Sequence, residues 1–362
     1  MIKSKVLLVT GGTGGHVIPA VNFANFLLSK NINCKIILDK RGIKYMHNYK
    51  GTYAIINSSN LNGNLFLKVI GLINLIIGFI QSFFIIIKFR PKITISFGSY
   101  ASFTPITNCL ILKSFLKTKI FIHEQNSIVG RTNNLFSNFA DIILLNFNTK
   151  SNIKKKYQNK TFVVGSPENH LFDIENNLEK KLNDLFTVLI IGGSQGSEYI
   201  AKFGTKLIKD LNKDKLIKAK FYFQCPPKSI VKVSNDLSKL DYNIVIKDYY
   251  DNIEEILQKS SLVVSRAGAG LINDIIKYNI PSILVPLPSS KDNHQFYNAK
   301  ILSNYDACLL IDEEKDEYYK AKMYVYEVYD NNNKVQLIKN RIQNIKVKNS
   351  NFLIYKLMFN EN

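Results

Sequence analysis

The sequence contains no tryptophan, and it has four cysteines and five histidines in 362 residues. The cysteines lie far apart, with neither a CxxC pair nor the spacing of metal ligands. We therefore expect no cysteine-bound metal, and we interpret each cysteine as a small residue of the core. The N-terminus has no signal-peptide pattern, which predicts a reducing cytosol as the compartment.

Acidic residues are also scarce. Lysine and arginine total 48 against 28 aspartates and glutamates, which gives a formal net charge of +20. Such a charge suits nucleic acid or an anionic membrane surface. Lysine, asparagine and isoleucine are abundant throughout, and no aromatic-basic stretch or known nucleic-acid module accompanies the charge. We therefore predict that the protein has no nucleic-acid partner and that an anionic membrane surface is one of its partners.

One apolar run, from Leu65 to Phe89, is long enough to span a bilayer. Polar residues interrupt it at Asn74, Gln81 and Ser82, and basic residues flank it. Three interpretations remain open: a spanning helix, a wholly buried helix, and a helix that packs on the first domain and dips its outer face into lipid. The third is the one we favour.

Apolar segments of strand length recur along the chain, and helical segments separate them. With 46% hydrophobic and 21% charged residues, this length predicts two globular domains. Short β-branched strands are typical of parallel sheets in α/β domains. We predict strands at Val6–Thr10, Cys34–Leu38, Ile93–Phe97, Lys119–Ile122, Asp141–Leu145, Thr161–Val164, Thr187–Ile191, Lys220–Gln224, Asn243–Lys247, Leu262–Ser265 and Ser282–Val285. A polar stretch, residues 166–185, predicts a linker between domains at residues 1–164 and 165–337.

Two strands run directly into glycine-rich turns. Gly11-Gly12-Thr13-Gly14-Gly15-His16 follows the first strand, and Gly192-Gly193-Ser194-Gln195-Gly196 opens the second series. Backbone N–H groups at a glycine turn and at the helix behind it favour a phosphate. Two such turns in one chain indicate an enzyme that joins two phosphorylated substrates.

The first turn matches the dinucleotide fingerprint G-x-G-x-x-G only in part. Gly12 and Gly14 fit, Val17 stands at the third glycine, and Asp39 lies near the usual position of a ribose-binding acid. We do not favour a dinucleotide site. His16 at this turn is a candidate general base, and the alternative is that it caps the helix or binds a phosphate.

Polar segments also follow several later strands, where α/β folds bind ligands. In the first half these are Gly98–Ser102 and His123-Glu124-Gln125-Asn126. In the second half, Arg266–Ala269 leads into a helix with Asp274, whose carboxylate is suited to ribose hydroxyls. Amide side chains near Gln295 suit sugar hydroxyls, because each amide both donates and accepts.

Together these segments, in this order, resemble the MurG family of peptidoglycan glycosyltransferases over about residues 5–310. The resemblance implies a GT-B architecture, two Rossmann-like domains with parallel sheets facing a cleft. It also implies transfer of N-acetylglucosamine from UDP-N-acetylglucosamine to undecaprenyl-pyrophosphoryl-N-acetylmuramyl-pentapeptide, at the cytoplasmic face of the bacterial inner membrane. A C-terminal helix over about residues 338–362 is expected to pack back on the first domain.

The resemblance also implies residue roles. His16 is the expected catalytic base. The residues expected at the acceptor are Thr13, Gly14, Gly15, Tyr100, His123, Glu124, Gln125, Asn126 and Asn133. Those expected at the donor are Thr13, Gly14, Gly15, Asn126, Ser166, Gly193, Ser194, Gln195, Ala269, Asp274 and Gln295.

The reaction implied is direct displacement with inversion, in which backbone N–H groups and a helix dipole meet the charge on departing UDP. The sequence contains no DxD metal motif, and we expect no cofactor. Ser99, Ser166, Asn169, Pro226, Leu271 and Asp274 depart from the family pattern. Two alternatives stay open: another GT-B enzyme that joins a UDP-sugar to a lipid, and a membrane scaffold with a decayed donor site.

Overall fold

Two parallel sheets organise the chain. The computed structural model describes residues 5–60, 64–149, 153–168, 185–193, 196–345 and 349–359. The chain divides at residues 174 and 346 into two compact units, and the segment after residue 346 belongs to the first. Each unit contains one of the two sheets.

The sheet of the first unit has seven strands in the order β3-β2-β1-β4-β5-β6-β7, all parallel. The strands are β1 Val6–Val9, β2 Cys34–Asp39, β3 Thr52–Ile56, β4 Ile93–Ser96, β5 Lys119–Glu124, β6 Ile142–Leu145 and β7 Thr161–Val163. The helices of this unit are α1 Gly14–Ser29, α2 Leu65–Phe89, α3 Phe103–Ile111, α4 Lys113–Leu116, α5 Arg131–Phe136 and, at the C-terminus, α13 Ser350–Phe359. Consecutive strands point the same way because a crossover, in most cases helical, returns the chain between them.

Both faces of this sheet are covered, which explains why its strands are apolar at successive positions. Leu8 and Ile36 point to the face that packs against α1 and α13, whereas Leu7 and Ile37 point to the face under α2 and α3. Each of these four side chains has no exposed surface. Burying one such side chain stabilises the fold by about 1.5–3 kcal/mol.

The sheet of the second unit repeats this arrangement with six strands in the order β10-β9-β8-β11-β12-β13, again all parallel. The strands are β8 Phe186–Ile191, β9 Ala219–Gln224, β10 Asn243–Lys247, β11 Leu262–Ser265, β12 Ser282–Leu284 and β13 Leu309–Leu310. The helices are α6 Glu198–Asp214, α7 Pro227–Leu237, α8 Ile253–Lys259, α9 Ala269–Tyr278, α10 His294–Ser303, α11 Tyr318–Asp330 and α12 Asn332–Ile345.

The predicted strands are all present, with ends that differ by at most two residues. Two further strands, β3 and β13, were not predicted, since β3 is a half-exposed edge strand and β13 has only two residues. The predicted helix over residues 338–362 is wrong in its extent. The structure has α12 in the second unit and α13 in the first, and Asn349 between them has a left-handed φ of 60°, which a continuous helix excludes.

Helix α2 is the long apolar run, and it lies against the first unit along one stripe of buried residues. The interpretation of a wholly buried helix is wrong, because Leu65, Phe66 and Phe84 are 79%, 71% and 67% exposed. By length and composition α2 could cross a membrane, and 22% of its most apolar window is buried.

The polar residues of α2 hold it in place. The backbone N–H of Asn57 donates to Gln81 over 2.7 Å, and its side-chain amide donates to Asn74 over 3.0 Å. The Asn108 amide donates to the hydroxyl of Ser82 over 2.8 Å. A Cβ on Gly78 would lie 2.0 Å from the Asn57 carbonyl oxygen, so only glycine permits this close approach.

Candidate active site

In the first unit, the glycine turn after β1 and the loop after β4 lie against each other. The strand order reverses between β1 and β4, and crevices at such a point are where open α/β sheets bind ligands. A Cβ added to Gly11 would lie 2.6 Å from the Ala101 Cβ, and one added to Gly12 would lie 3.0 Å from the Ser99 hydroxyl. The two loops form one surface, with glycine where their backbones approach.

The loop after β4 contains a strained residue. Ser99 has a φ of 77° and a ψ of 160°, a conformation found almost only in glycine. Ser99 occupies the position where the sequence departs from the glycine of the family pattern. A non-glycine residue held in this conformation costs about 1–3 kcal/mol.

His16, on the first turn of α1, reaches across to the loop after β4. Its Nδ1 lies 2.8 Å from the carbonyl oxygen of Phe97, and a Cβ on Gly98 would lie 3.3 Å from its Cε1. A carbonyl oxygen only accepts, so Nδ1 carries the hydrogen and Nε2 is the basic nitrogen. His16 is half-buried. This arrangement suits a base whose orientation is set before a substrate arrives.

The remaining predicted residues of the first turn lie at the surface or near it. Thr13 is exposed and makes no side-chain bond to cap α1, and Gly15 is half-buried. Gly14 is buried, and a Cβ added to it would lie 3.0 Å from the ring of Tyr45. Tyr100 is half-buried on the neighbouring loop. The first turn of α1 contains no acidic residue of its own.

Glu124 organises the loop that follows β5. Its buried carboxylate accepts from the backbone N–H groups of Asn126 and Gly130 over 2.9 and 2.8 Å, and from the Asn133 amide over 2.9 Å. Asn126 remains half-buried, whereas Asn133 is buried. Glu124 and Asn133 therefore shape the loop from beneath, and Asn126 is the member of this group nearer the surface.

His123 and Gln125 form a buried chain of hydrogen bonds to the segment after β7. His123 Nε2 donates to the Gly165 carbonyl oxygen over 2.9 Å, and its Nδ1 accepts from the Gln125 amide over 2.7 Å. The Ser166 hydroxyl donates to the same amide's oxygen over 3.5 Å. Burial lowers the pKa of His123 to about 4, so the ring is neutral at physiological pH.

The glycine turn of the second unit follows β8. A Cβ on Gly192 would lie 2.4 Å from the backbone nitrogen of Ser197, so glycine is required for the turn. Gly193 and Gly196 have left-handed φ angles of 85° and 72°. A Cβ on Gly193 would have no atom within 4 Å, so this backbone faces open space. Ser194 and Gln195 lie outside the described residues.

Arg266 ties this turn to the neighbouring strands. Its Nε donates to Ser197 over 3.1 Å, and its Nη1 donates to the carbonyl oxygens of Val285 and Pro286 and pairs with Glu313. The arginine side chain is 7% exposed. Ser197 also caps α6, accepting from the backbone N–H of Ile200. One guanidinium thus connects the carboxyl ends of β8, β11 and β12.

The other predicted donor residues lie on α9 and α10 of the same unit. Ala269 begins α9 and is buried, and the half-buried Asp274 is one and a half turns further along. An added Cβ on Gly268 or Gly270 would meet no atom within 4 Å, so the start of α9 has open space beside it. Gln295, on α10, accepts from the Leu287 backbone N–H over 3.0 Å.

Each unit therefore has a glycine turn at the carboxyl ends of its parallel strands, where α/β folds bind ligands. Within residues 5–60, 64–149, 153–168, 185–193, 196–345 and 349–359, no three histidine, cysteine or carboxylate side chains gather as a metal site would require.

The profile of the glycosyltransferase family 28 N-terminal domain matches residues 6–145, and that of the family's C-terminal domain matches residues 187–352. A relative from Rickettsia felis is 32% identical over 311 residues, which cover 84% of each chain. The chain belongs to glycosyltransferase family 28.

These two relatives share one name. The Rickettsia felis protein is called UDP-N-acetylglucosamine--N-acetylmuramyl-(pentapeptide) pyrophosphoryl-undecaprenol N-acetylglucosamine transferase. A Wolbachia protein from Drosophila simulans with the same name is 29% identical over 344 residues and covers 95% of each chain. The similarity therefore extends through both units of this family 28 chain.

Solved structures agree on the fold. The crystal structure of MurG from Acinetobacter baumannii superposes with a TM-score of 0.74 at 17% identity, covering 99% of this chain and all of that one. A UDP-GlcNAc 2-epimerase from Neisseria meningitidis gives 0.69 at 13% identity over 99% of this chain and all of that one. The family 28 chain has the GT-B fold, with two Rossmann-like domains.

Several residues that contact or support the two glycine turns were not predicted. Ser197 and Glu313 support the second glycine turn through Arg266, and Arg41 lies beside the first turn. For Ser197, a serine just before a helix is a recognisable N-cap signal. No sequence signal identifies Glu313, because it is 47 residues from Arg266 in a charged segment.

Proposed function

We propose that this chain is a hexosyltransferase of peptidoglycan synthesis. It transfers N-acetylglucosamine from UDP-N-acetylglucosamine to the muramyl 4-hydroxyl of undecaprenyl-pyrophosphoryl-N-acetylmuramyl-pentapeptide. The observation that carries the proposal is the similarity through both units to relatives named for this transfer, the first at 32% identity. The paired glycine loops of the first unit and the Arg266-supported turn of the second support it independently.

We assign the acceptor to the first unit. Its glycine turn, the half-buried Tyr100 and Asn126 are the positions that a sugar diphosphate would contact. His123, Glu124, Gln125 and Asn133 are buried in hydrogen bonds. They therefore act as positioning residues that hold the loop after β5. Ser166 belongs to the same chain of bonds, through Gln125.

We assign the donor to the second unit. Gly193 and the open start of α9 offer backbone N–H groups to the UDP diphosphate, and Asp274 offers its carboxylate to the ribose hydroxyls. Gln295 retains its amide N–H donors for a sugar hydroxyl, because its carbonyl oxygen holds the Leu287 backbone. Arg266 is the positioning residue for this turn.

In the proposed reaction His16 acts as general base. The muramyl 4-hydroxyl oxygen forms a bond to the anomeric carbon as the bond from that carbon to UDP breaks, and the hydroxyl proton moves to His16 Nε2. The Phe97 carbonyl, which holds Nδ1–H at 2.8 Å, stabilises the imidazolium that results. Attack opposite the leaving group inverts the anomeric configuration.

The membrane surface is the proposed location of the acceptor. A spanning α2 would have to give up the bonds that Asn57 and Asn108 make to it, whereas a helix lying in the interface keeps them. Its outward stripe of Ile73, Ile76, Ile80 and Phe84 is about half exposed or more, and lysines and Arg90 occur at its ends. We propose peripheral binding to the anionic cytoplasmic face of the inner membrane, without a nucleic-acid partner.

The test is transfer of radiolabel from UDP-N-acetylglucosamine to a short-chain analogue of the proposed acceptor. We expect a labelled disaccharide product with inverted anomeric configuration. An unrelated UDP-sugar and a glycolipid acceptor that lacks muramyl-pentapeptide serve as controls and should give no product. Product from the glycolipid alone would indicate another lipid glycosyltransferase, and no binding of millimolar donor in calorimetry would indicate a scaffold.

A further inference from the structure

A buried carboxylate lies directly beneath the first glycine turn. Asp39, the last residue of β2, is 3% exposed and accepts from the Gly12 backbone N–H over 2.9 Å and from the Ser58 hydroxyl over 2.9 Å. A Cβ on Gly11 would lie 3.0 Å from the Asp39 carboxylate. Asp39 therefore holds the turn from below and is not placed to bind a ribose, which removes the dinucleotide interpretation.

Arg41 connects this carboxylate to the surface. Its Nε and Nη2 both approach the same Asp39 oxygen, over 2.7 and 2.6 Å, while its side chain is 54% exposed. A Cβ on Gly12 would lie 3.7 Å from Nη2, so the guanidinium stands beside the backbone of the turn. A guanidinium has five N–H donors, and these two bonds use two of them.

In the wild-type protein, the charges around the turn favour an anion because Arg41 offsets the Asp39 carboxylate. The first turn of α1 supplies backbone N–H groups and a positive dipole end, with no acidic residue of its own. The Asp39 carboxylate opposes an anion at the same place, and a buried negative charge is screened weakly. Arg41 compensates that charge and adds donors on the exposed side, where a phosphate oxygen can accept them.

We propose that Arg41 binds the diphosphate of the lipid acceptor, and that Asp39 is the positioning residue that holds its guanidinium against the glycine turn. This inference rests on the proposed acceptor. A planar guanidinium fixed by two bonds is preorganised for phosphate oxygens, which makes its charge-assisted hydrogen bonds stronger than those of a mobile lysine.

The experiment compares Arg41→Met, Arg41→Lys and Lys40→Met. Lys40 is exposed and adjacent, so its substitution removes the same charge without removing the guanidinium. Binding of geranyl diphosphate is measured by calorimetry, and KM values are measured for the acceptor analogue and for UDP-N-acetylglucosamine. For Arg41→Met we expect the diphosphate Kd and the acceptor KM to rise about tenfold or more, with the donor KM unchanged. Arg41→Lys should be intermediate, and Lys40→Met should resemble the wild type.

A double variant separates binding from folding. Arg41→Met alone leaves the Asp39 charge buried and uncompensated, which lowers the Tm, whereas Asp39→Asn with Arg41→Met removes both charges. We expect the double variant to recover the Tm but not the diphosphate affinity. If the double variant recovers the diphosphate affinity together with the Tm, the proposal is overturned. It is also overturned if Arg41→Met raises only the donor KM, or if Lys40→Met loses as much diphosphate affinity as Arg41→Met.

The calorimetry distinguishes this inference from the proposed function. If the wild type binds geranyl diphosphate and Arg41→Met does not, Arg41 is a diphosphate-binding residue whether or not N-acetylglucosamine is transferred. If the wild type transfers the sugar and Arg41→Met binds the diphosphate equally well, the proposed function stands and the role of Arg41 is refuted.

Discussion

The imidazole Nδ1 of His16 donates to the carbonyl oxygen of Phe97 over 2.8 Å. The two residues are 81 positions apart: His16 lies on the first turn of α1 and Phe97 directly follows β4, which pairs with β1. The bond fixes which ring nitrogen is basic and also fixes the plane of the ring. In the proposed role of His16 as general base, this bond orients the ring before the substrate binds.

The first prediction concerns His16→Ala. Loss of a general base should lower kcat by about a hundredfold or more, while the KM values for both substrates change little. The measurement is steady-state transfer of labelled N-acetylglucosamine. His47→Ala is the matched control, because His47 is exposed in the same unit and also contacts a backbone carbonyl oxygen, that of Lys44. An unchanged rate in His16→Ala would exclude the role as base.

The second prediction concerns stability at low pH. Burial lowers the pKa of His123 from 6.5 to about 4, and its bond to the Gly165 carbonyl only partly opposes this. Between those two values the unfolded chain binds more protons than the folded one, so stability falls as pH falls. From pH 7 to pH 5 the loss attributable to this residue is about 2 kcal/mol.

The measurement is thermal unfolding of the wild type and of His123→Gln at pH 7 and pH 5. The variant should be less stable at pH 7, because it loses the bonds of the buried ring. Its Tm should nevertheless fall less than the wild-type Tm between the two pH values. Equal falls in both proteins would show that His123 does not contribute to the pH dependence.

The third prediction concerns the buried pair of Arg266 and Glu313. Glu313→Gln leaves the Arg266 guanidinium, 7% exposed, without its counter-charge and should destabilise the second unit by about 3 kcal/mol. Because Arg266 also holds Ser197 at the glycine turn, the KM for UDP-N-acetylglucosamine should rise and the acceptor KM should not. Chemical denaturation and steady-state kinetics measure the two effects. The exposed neighbour Glu314→Gln should behave like the wild type, and equal effects in both variants would contradict this role.

The fourth prediction concerns the outer stripe of α2. Ile76 and Ile80 are 53% and 50% exposed, so aspartates at both positions should be tolerated by the fold. Binding to vesicles of phosphatidylglycerol and phosphatidylethanolamine should weaken about tenfold or more, because two apolar side chains no longer enter the interface. Vesicle flotation measures the fraction of protein bound. Leu216→Asp, at a 65% exposed position of the second unit, should bind like the wild type. Undiminished binding of the double variant would exclude α2 as the membrane contact.

Local features of the sequence were sufficient to predict the two parallel sheets and the positions of the polar loops. Short apolar runs such as Val6–Val9 form buried strands, and glycines such as Gly12 end them in turns that few other residues can adopt. Parallel strands present their carboxyl ends at one edge, so loops that follow neighbouring strands come together. The motifs and their order also identified the family.

The tertiary structure alone decided what each polar side chain does. His16 and His123 both lie beside predicted loops. The half-buried His16 bonds to the Phe97 carbonyl oxygen, whereas His123 is buried and bonds to the Gly165 carbonyl oxygen. Asp39 stands near the usual sequence position of a ribose-binding acid, but in the structure it accepts from the Gly12 backbone N–H and supports the glycine turn. The polar residues that interrupt the apolar run of α2 make the hydrogen bonds that hold this helix on the first unit. These outcomes depend on partners tens of residues away, and the burial and hydrogen bonds that such partners create are properties of the packed chain rather than of any segment.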